Sequence, residues 1–123
     1  MAASVKKDVE DVEAAACNEV RLSGRISRQP EERVLPSGDV LWTFSLVVAR
    51  VPAREGSRQS VDVLDCAVWG GRIRRSVASW SVGDQVEVTG AVRRRFFRAG
   101  GAPASRVEIE VSGGRLLRRA ATG

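Results

Sequence analysis

Between positions 93 and 98 the chain reads Arg-Arg-Arg-Phe-Phe-Arg, four guanidinium groups around two aromatic rings. Cations in that arrangement hold phosphates and flat rings hold bases, which is the chemistry that unpaired nucleic acid demands. Alternation along an extended strand divides the run into two sets. Arg93, Arg95 and Phe97 share one face; Arg94, Phe96 and Arg98 share the other. The first set is the better binding candidate, and Phe96 is expected to pack inward. Trp69, at the head of Trp69-Gly70-Gly71, is the second candidate ring, although a Trp on a strand serves equally well as core. Arg50, Arg54 and Arg58 bracket the polar stretch at 51–60, where they could close over phosphates or stand as solvated charge. Arg72, with Arg74 and Arg75, opens a helical pattern and has a weaker claim on a phosphate.

Other chemistries are harder to assemble. The chain has 123 residues and no histidine, which removes imidazole bases, His-based triads and His-ligated metals together. Asp62, Asp65 and Asp84 do not have metal-ligand spacing, and no nucleophile, base and orienting group can be combined. Neither an enzyme nor a cofactor is expected. Two cysteines cannot make a disulfide framework; Cys66 is expected in the core and Cys17 as an exposed thiol. No apolar run is long enough to cross a membrane, and the first residues lack the apolar stretch of a secretory signal, so a cytoplasmic, nucleoid-associated location is expected.

Charge is unevenly spread. Residues 1–19 carry two lysines against five acids, whereas the remainder carries 18 arginines against 10 acids. Val5, Val9, Val12 and Ala16 recur at helical spacing, so residues 1–17 are read as a short helical or flexible leader. From Asn18 the period becomes two. Val20, Leu22 and Ile26 form a first strand that bends at Gly24 and ends at Gln29-Pro30. A turn at Leu35–Asp39 leads to a second strand, Val40–Arg50, with Trp42 and Phe44 assigned to the core. Val61–Trp69 is the third. Ile73, Val77 and Trp80 then recur at i, i+4 and i+7, one short helix. A fourth strand follows with Val86 and Val88 and a break at Gly90; the segment 99–103 is a hairpin loop, and 106–111 the fifth strand. Residues 113–123 read as a basic tail of low order. Five strands with one helix between the third and fourth, and glycines where strands must bend sharply, describe an all-β, five-stranded Greek-key OB-fold barrel over 18–112.

Several pieces in this order resemble one family. Asn18-Glu19-Val20 through Gly24, Gln29-Pro30-Glu31, Pro36-Ser37-Gly38 and Phe44-Ser45-Leu46 are similar to the opening of bacterial single-stranded DNA-binding proteins. Trp69-Gly70 matches an aromatic-glycine pair after the third strand, and Gly83 to Gly90 followed by Arg93-Arg94-Arg95 matches the fourth. Primosomal replication protein N, a dimeric OB module, shares some of these pieces and is the alternative. The resemblance implies sequence-tolerant binding of single-stranded DNA in replication, repair or recombination, with RNA left open because stacking does not distinguish the sugars. It also implies a homo-oligomer, a tetramer ahead of a dimer. Trp69 and Phe97 fall on family stacking positions, whereas Pro52 and Val63 stand where other aromatics would be. Asp65 stands where a base-contacting face would carry a cation. An OB module that binds protein and has lost DNA is the reading these departures favour. The chain ends in Arg115-Leu116-Leu117-Arg118-Arg119 and four uncharged residues, so recruitment of partners through an acidic C-terminal tip is not expected.

Overall fold

A computed structural model describes residues 14–51, 56, 58 and 60–121. The period-two segments form five strands, β1 (Val20–Val34), β2 (Val40–Ala49), β3 (Val61–Val68), β4 (Gln85–Ala99) and β5 (Ala102–Arg118). The helix α1 (Ile73–Ser79) stands between β3 and β4. The strands close into a barrel in the order β1-β2-β3-β5-β4, with β4 returning to β1. All pairings are antiparallel except that of β3 with β5, where Cys66 meets Ile109 and Ala67 meets Glu110 in parallel. This is the OB-fold barrel the strand order implies.

The inward positions of each strand supply the core. Ile26, Phe44, Leu46, Val68, Val86 and Val88 are fully buried. The helix closes one end with Val77, and Trp80 just beyond it meets Phe44 edge-to-face at 5.7 Å. Truncating either ring to Ala would cost about 3–5 kcal/mol. The strands bend where glycine lets a neighbour approach. A Cβ on Gly24 would lie 2.3 Å from the Val47 carbonyl oxygen, and one on Gly90 would lie 2.0 Å from that of Glu110. Both glycines are therefore required by close backbone approach rather than by an unusual φ. The β4–β5 register also shifts between Thr89 and Gly90, which adds curvature there.

Three sequence expectations are corrected. β1 does not end at Gln29-Pro30; it continues to Val34, and a register shift between Arg28 and Glu31 absorbs the proline. The Gln29 amide crosses instead to the helix end, donating to the Trp80 carbonyl at 2.9 Å and accepting from the Val82 N–H. The hairpin turn is tighter than expected, since β4 and β5 pair as far as Ala99 and Ala102 around Gly100 and Gly101, both at positive φ. Finally, residues 113–118 are not a tail of low order. Gly113 and Gly114 pair with Thr89 and Val88, and Leu116 with Val86. Gly114 lies under the helix end: a Cβ there would be 3.1 Å from Trp80 and 3.2 Å from Ile73. Gly114 lets the last strand pass beneath Trp80, and a Cβ on Gly113 would lie 2.8 Å from Thr89 Oγ1 on the paired strand.

Beyond β5 the buried Asp84 holds the chain. Its carboxylate accepts from the Ser81 and Ala120 N–H groups at 2.9 and 2.8 Å and from Arg119 Nη1 at 2.9 Å. The same Nη1 donates to the Ser79 carbonyl. Burial pushes this carboxyl up, but the Ala120, Ser81 and Arg119 donors together outweigh it and hold it below the usual carboxylate range. The helical spacing from Val5 to Val12 lies outside the described residues.

Candidate nucleic-acid interface

From Arg93 to Ala99 on β4 and from Ala102 to Glu108 on β5 the two strands pair only with each other, so they leave the barrel as a ribbon. Its register is unbroken: Arg93 faces Glu108, Arg95 faces Arg106 and Phe97 faces Ala104. One face of the ribbon meets Trp69, which follows β3, and Leu41, which opens β2. Together with Arg33 and Leu35 these residues line a shallow groove.

Inside it, rings and guanidinium groups alternate. Trp69 is 36% exposed and Phe97 44%. The Arg95 guanidinium carbon lies 4.6 Å from the centroid of the Trp69 ring, and that of Arg106 lies 6.0 Å from the centroid of Phe97. Two carboxylates hold these cations in place. Glu108, only 4% exposed, accepts from Arg95 Nε and lies 3.7 Å from Arg106 Nη2. Glu110 accepts from Arg93 Nε and Arg95 Nη2, each at 3.2 Å. The groove therefore carries the Arg33, Arg95 and Arg106 guanidinium groups against the Glu108 carboxylate, with Arg93 and Glu110 beside it and flat cations already resting on both rings.

Of the four residues expected to share one groove, Trp69, Arg95 and Phe97 line it; Arg93 stands beside it, joined to Arg95 through Glu110. The structure does not bring Arg50 or Arg58 to them. Arg50 lies just past the end of β2, nine residues from Leu41, about 30 Å of extended chain. There it makes a bidentate pair with Asp62, Nη2 to Oδ1 at 2.8 Å and Nε to Oδ2 at 3.1 Å. That hydrogen bonding lowers the Asp62 pKa and raises that of Arg50. Arg58 is exposed in the same loop, and Arg54 lies outside the described residues. Arg72 is exposed before α1, beside Arg74 and Arg75, apart from the groove. Phe96 is not packed inward; it is 80% exposed, because the ribbon has left the barrel there, and it stands at the groove beside Phe97.

Sequence reasoning missed Arg33, Leu41, Arg106, Glu108 and Glu110. The last three were accessible: extending a two-residue turn at Gly100-Gly101 pairs Arg95 with Arg106 and Arg93 with Glu108. Arg33 and Leu41 come from the far end of the β1–β2 hairpin and have no local signal. Asp65 is exposed, and among the described residues the acids that meet Arg93 and Arg95 are Glu108 and Glu110 rather than Asp65. Cys66 is buried beneath this region; burial, then the Asp65 and Glu108 carboxylates, push its thiol up to about 12 against the pull of Arg28. Cys17 is exposed. Among the described residues no three His, Cys, Asp or Glu side chains gather to hold a metal, and no helix is long and apolar enough to cross a membrane.

The chain is thus a closed OB barrel with a groove of rings and guanidinium groups on its outer surface. Residues 17–117 match the single-strand binding protein family, and the chain belongs to it. It is 32% identical over 81 residues to single-stranded DNA-binding protein 1 of Streptococcus agalactiae, an alignment covering 65% of this chain and 49% of that protein. It is 30% identical over 80 residues to single-stranded DNA-binding protein 2 of Listeria monocytogenes, covering 65% and 50%. The chain thus spans about half the length of these curated relatives. Its fold matches a Plasmodium falciparum SSB solved in complex with ssDNA, with a TM-score of 0.66 at 24% identity, covering 84% of this chain and 95% of that one.

Proposed function

We propose that this chain binds single-stranded DNA with little sequence preference, stacking bases on Trp69 and Phe97 and holding phosphates with Arg93, Arg95 and Arg106. The observation that carries the reading is the groove itself, in which two partly exposed rings and the guanidinium groups of Arg33, Arg95 and Arg106 converge. Family membership and the names of the relatives support the same ligand. Exposed Arg58 and Arg72 extend the positive surface as outer phosphate contacts, with Arg54; Arg50 contributes least, since Asp62 already holds it. Replication, repair or recombination is the setting such binding serves, and a cytoplasmic, nucleoid-associated protein is its natural form. A homo-oligomer, tetramer ahead of dimer, belongs to the same proposal.

Tryptophan fluorescence on titration with dT35 tests it. Trp80 is buried and Trp42 half-buried, so quenching reports mainly on Trp69. A saturable quench that weakens as salt rises, and that Trp69→Phe removes, is expected. Absence of any quench, and of any anisotropy change of labelled dT35 at low salt, would overturn the reading.

A further inference from the structure

Among the described residues Glu108 is the one carboxylate that lines the groove, and it is almost wholly buried there. Its two oxygens are used unequally. Oε1 accepts from Arg95 Nε, whereas Oε2 has Arg106 Nη2 at 3.7 Å, beyond hydrogen-bond reach. Among the described residues no donor completes it. A buried carboxylate with an acceptor left over favours any neighbour that brings an N–H.

Arg95 shows the form such a neighbour takes. Its guanidinium carbon lies 4.6 Å from the centroid of the Trp69 ring, and from that place its Nε donates to Glu108. A flat group over Trp69 thus has an N–H edge at the carboxylate. A base stacked in the same place presents its own edge to Glu108, and the four bases differ there. Thymine offers one N–H between two carbonyl oxygens, which a carboxylate repels. Cytosine and adenine offer an amino group beside a ring-nitrogen acceptor. Guanine offers two adjacent donors, N1–H and the 2-amino group, on the same N–C–N unit that Arg95 carries. Two parallel donors match two carboxylate oxygens, as they do when arginine binds a carboxylate through its fork.

We infer that Glu108 is a specificity-determining residue, which makes the Trp69 position of the groove prefer guanine over the other bases. The inference rests on the proposed single-strand binding and deepens it, as a bias at one base position within contacts that otherwise tolerate any sequence. Guanine replaces Arg95 on both of its partners, the ring and the carboxylate, so Glu108 stays paired while the cation turns to a phosphate. Thymine replaces Arg95 on the ring only and leaves the buried carboxylate short of donors.

Anisotropy titrations of the full chain with labelled dT36, d(GT)18 and d(IT)18 test the inference. In the last oligomer hypoxanthine replaces guanine; it keeps the ring system and N1–H but lacks the 2-amino group, so it still stacks and loses one of the two donors. The parent is expected to bind d(GT)18 at least about five-fold more tightly than dT36, the low end of discrimination by a bidentate base contact. Most of that gain should vanish with d(IT)18. It should also vanish in Glu108→Gln, which keeps the side chain's shape, and persist in Glu110→Gln, whose carboxylate stands beside the groove. The hypoxanthine comparison is made on the parent alone, so it decides the matter even where a variant folds poorly. Equal binding of the three oligomers by the parent would sink the inference and leave the groove standing. A guanine preference that survives in d(IT)18, or in folded Glu108→Gln, would arise from stacking, and the inference falls. If the parent binds none of the three at low salt, both readings fall.

Discussion

The two glutamates at the groove make a quantitative prediction. Arg93, Arg95 and Arg106 stand against Glu108 and Glu110, a local balance of one positive charge. Each single-strand phosphate neutralised contributes a slope of about −0.7 to log affinity against log salt. If the slope follows the charge that these five groups can offer, they contribute about −0.7 in the parent, with Arg33 unchanged between parent and variant. Replacing both acids by Gln releases three guanidinium groups and takes the contribution to about −2.1. Between 50 and 200 mM salt the difference of about 1.4 amounts to roughly seven-fold, so the double variant should bind dT35 more tightly at low salt and lose that advantage as salt rises. Gln keeps the shape of the buried Glu108 side chain, and urea denaturation of the variant tests whether the barrel is intact. Glu87→Gln provides the comparison, since Glu87 pairs with Arg115 at the other end of β4 and should leave the slope unchanged. Equal slopes for the parent and the double variant, with both folded, would refute the reasoning, because the acids would then not compete with phosphate. A weaker-binding double variant would refute it in another way, by making the glutamates positioning groups for Arg95 and Arg93.

Other outcomes follow from the barrel. Asp84→Ala strands the Ser81 and Ala120 N–H groups and should cost about 1–3 kcal/mol by urea denaturation at neutral pH. Because the folded Asp84 pKa is depressed, its contribution is complete above the ordinary carboxylate value of about 3.9 and is lost as pH falls through the folded value, so the gap between parent and variant should close in acid. Gly90→Ala places a Cβ against the Glu110 carbonyl with nothing flexible to yield, and should destabilise by about 3 kcal/mol, at the upper end of overpacking costs. A thiol reagent at pH 8 should modify Cys17 at once and Cys66 only after unfolding, since Cys66 is buried with its thiol pushed up to about 12. Two fast equivalents in the native protein would contradict that packing.

The barrel was legible because its signals are local. Period-two runs around Phe44, Cys66 and Val86 mark inward faces, and Ile73, Val77 and Trp80 mark the helix. What stayed hidden depends on partners far along the chain. Residues 113–118 read as a tail because nothing nearby announces that they pair with β4 or that Gly114 packs against Ile73 and Trp80. Pro30 read as an end because the bulge that accommodates it is set by pairing with β2. Alternation separated Phe96 from Phe97 correctly. The direction of each face could not follow from alternation, because it depends on β5 leaving β3 at Ile109. For the site, the rings and the arginine run were visible as types, but their neutralising acids were not. Glu108 and Glu110 enter only through the cross-strand register.

That register changes what stacking can contribute. A base reaching an open ring would gain about 1–3 kcal/mol. Here each ring already carries a guanidinium group, Arg95 on Trp69 and Arg106 on Phe97. An entering base must displace that cation or take the opposite side of the ring, and a displaced cation also leaves Glu108. The exchange returns part of the stacking energy, since a cation–π contact of this exposure is worth about 0.5–1 kcal/mol and the departing guanidinium takes a partner from the buried Glu108 carboxylate. The released guanidinium recovers it only by reaching a phosphate. Ring and cation should therefore act as one unit: truncating Trp69 should cost less in an Arg95→Gln background than in the parent. A double-mutant cycle on dT35 affinity reads that coupling directly, and additive losses would show that the stacked pair seen in the free protein has no part in binding.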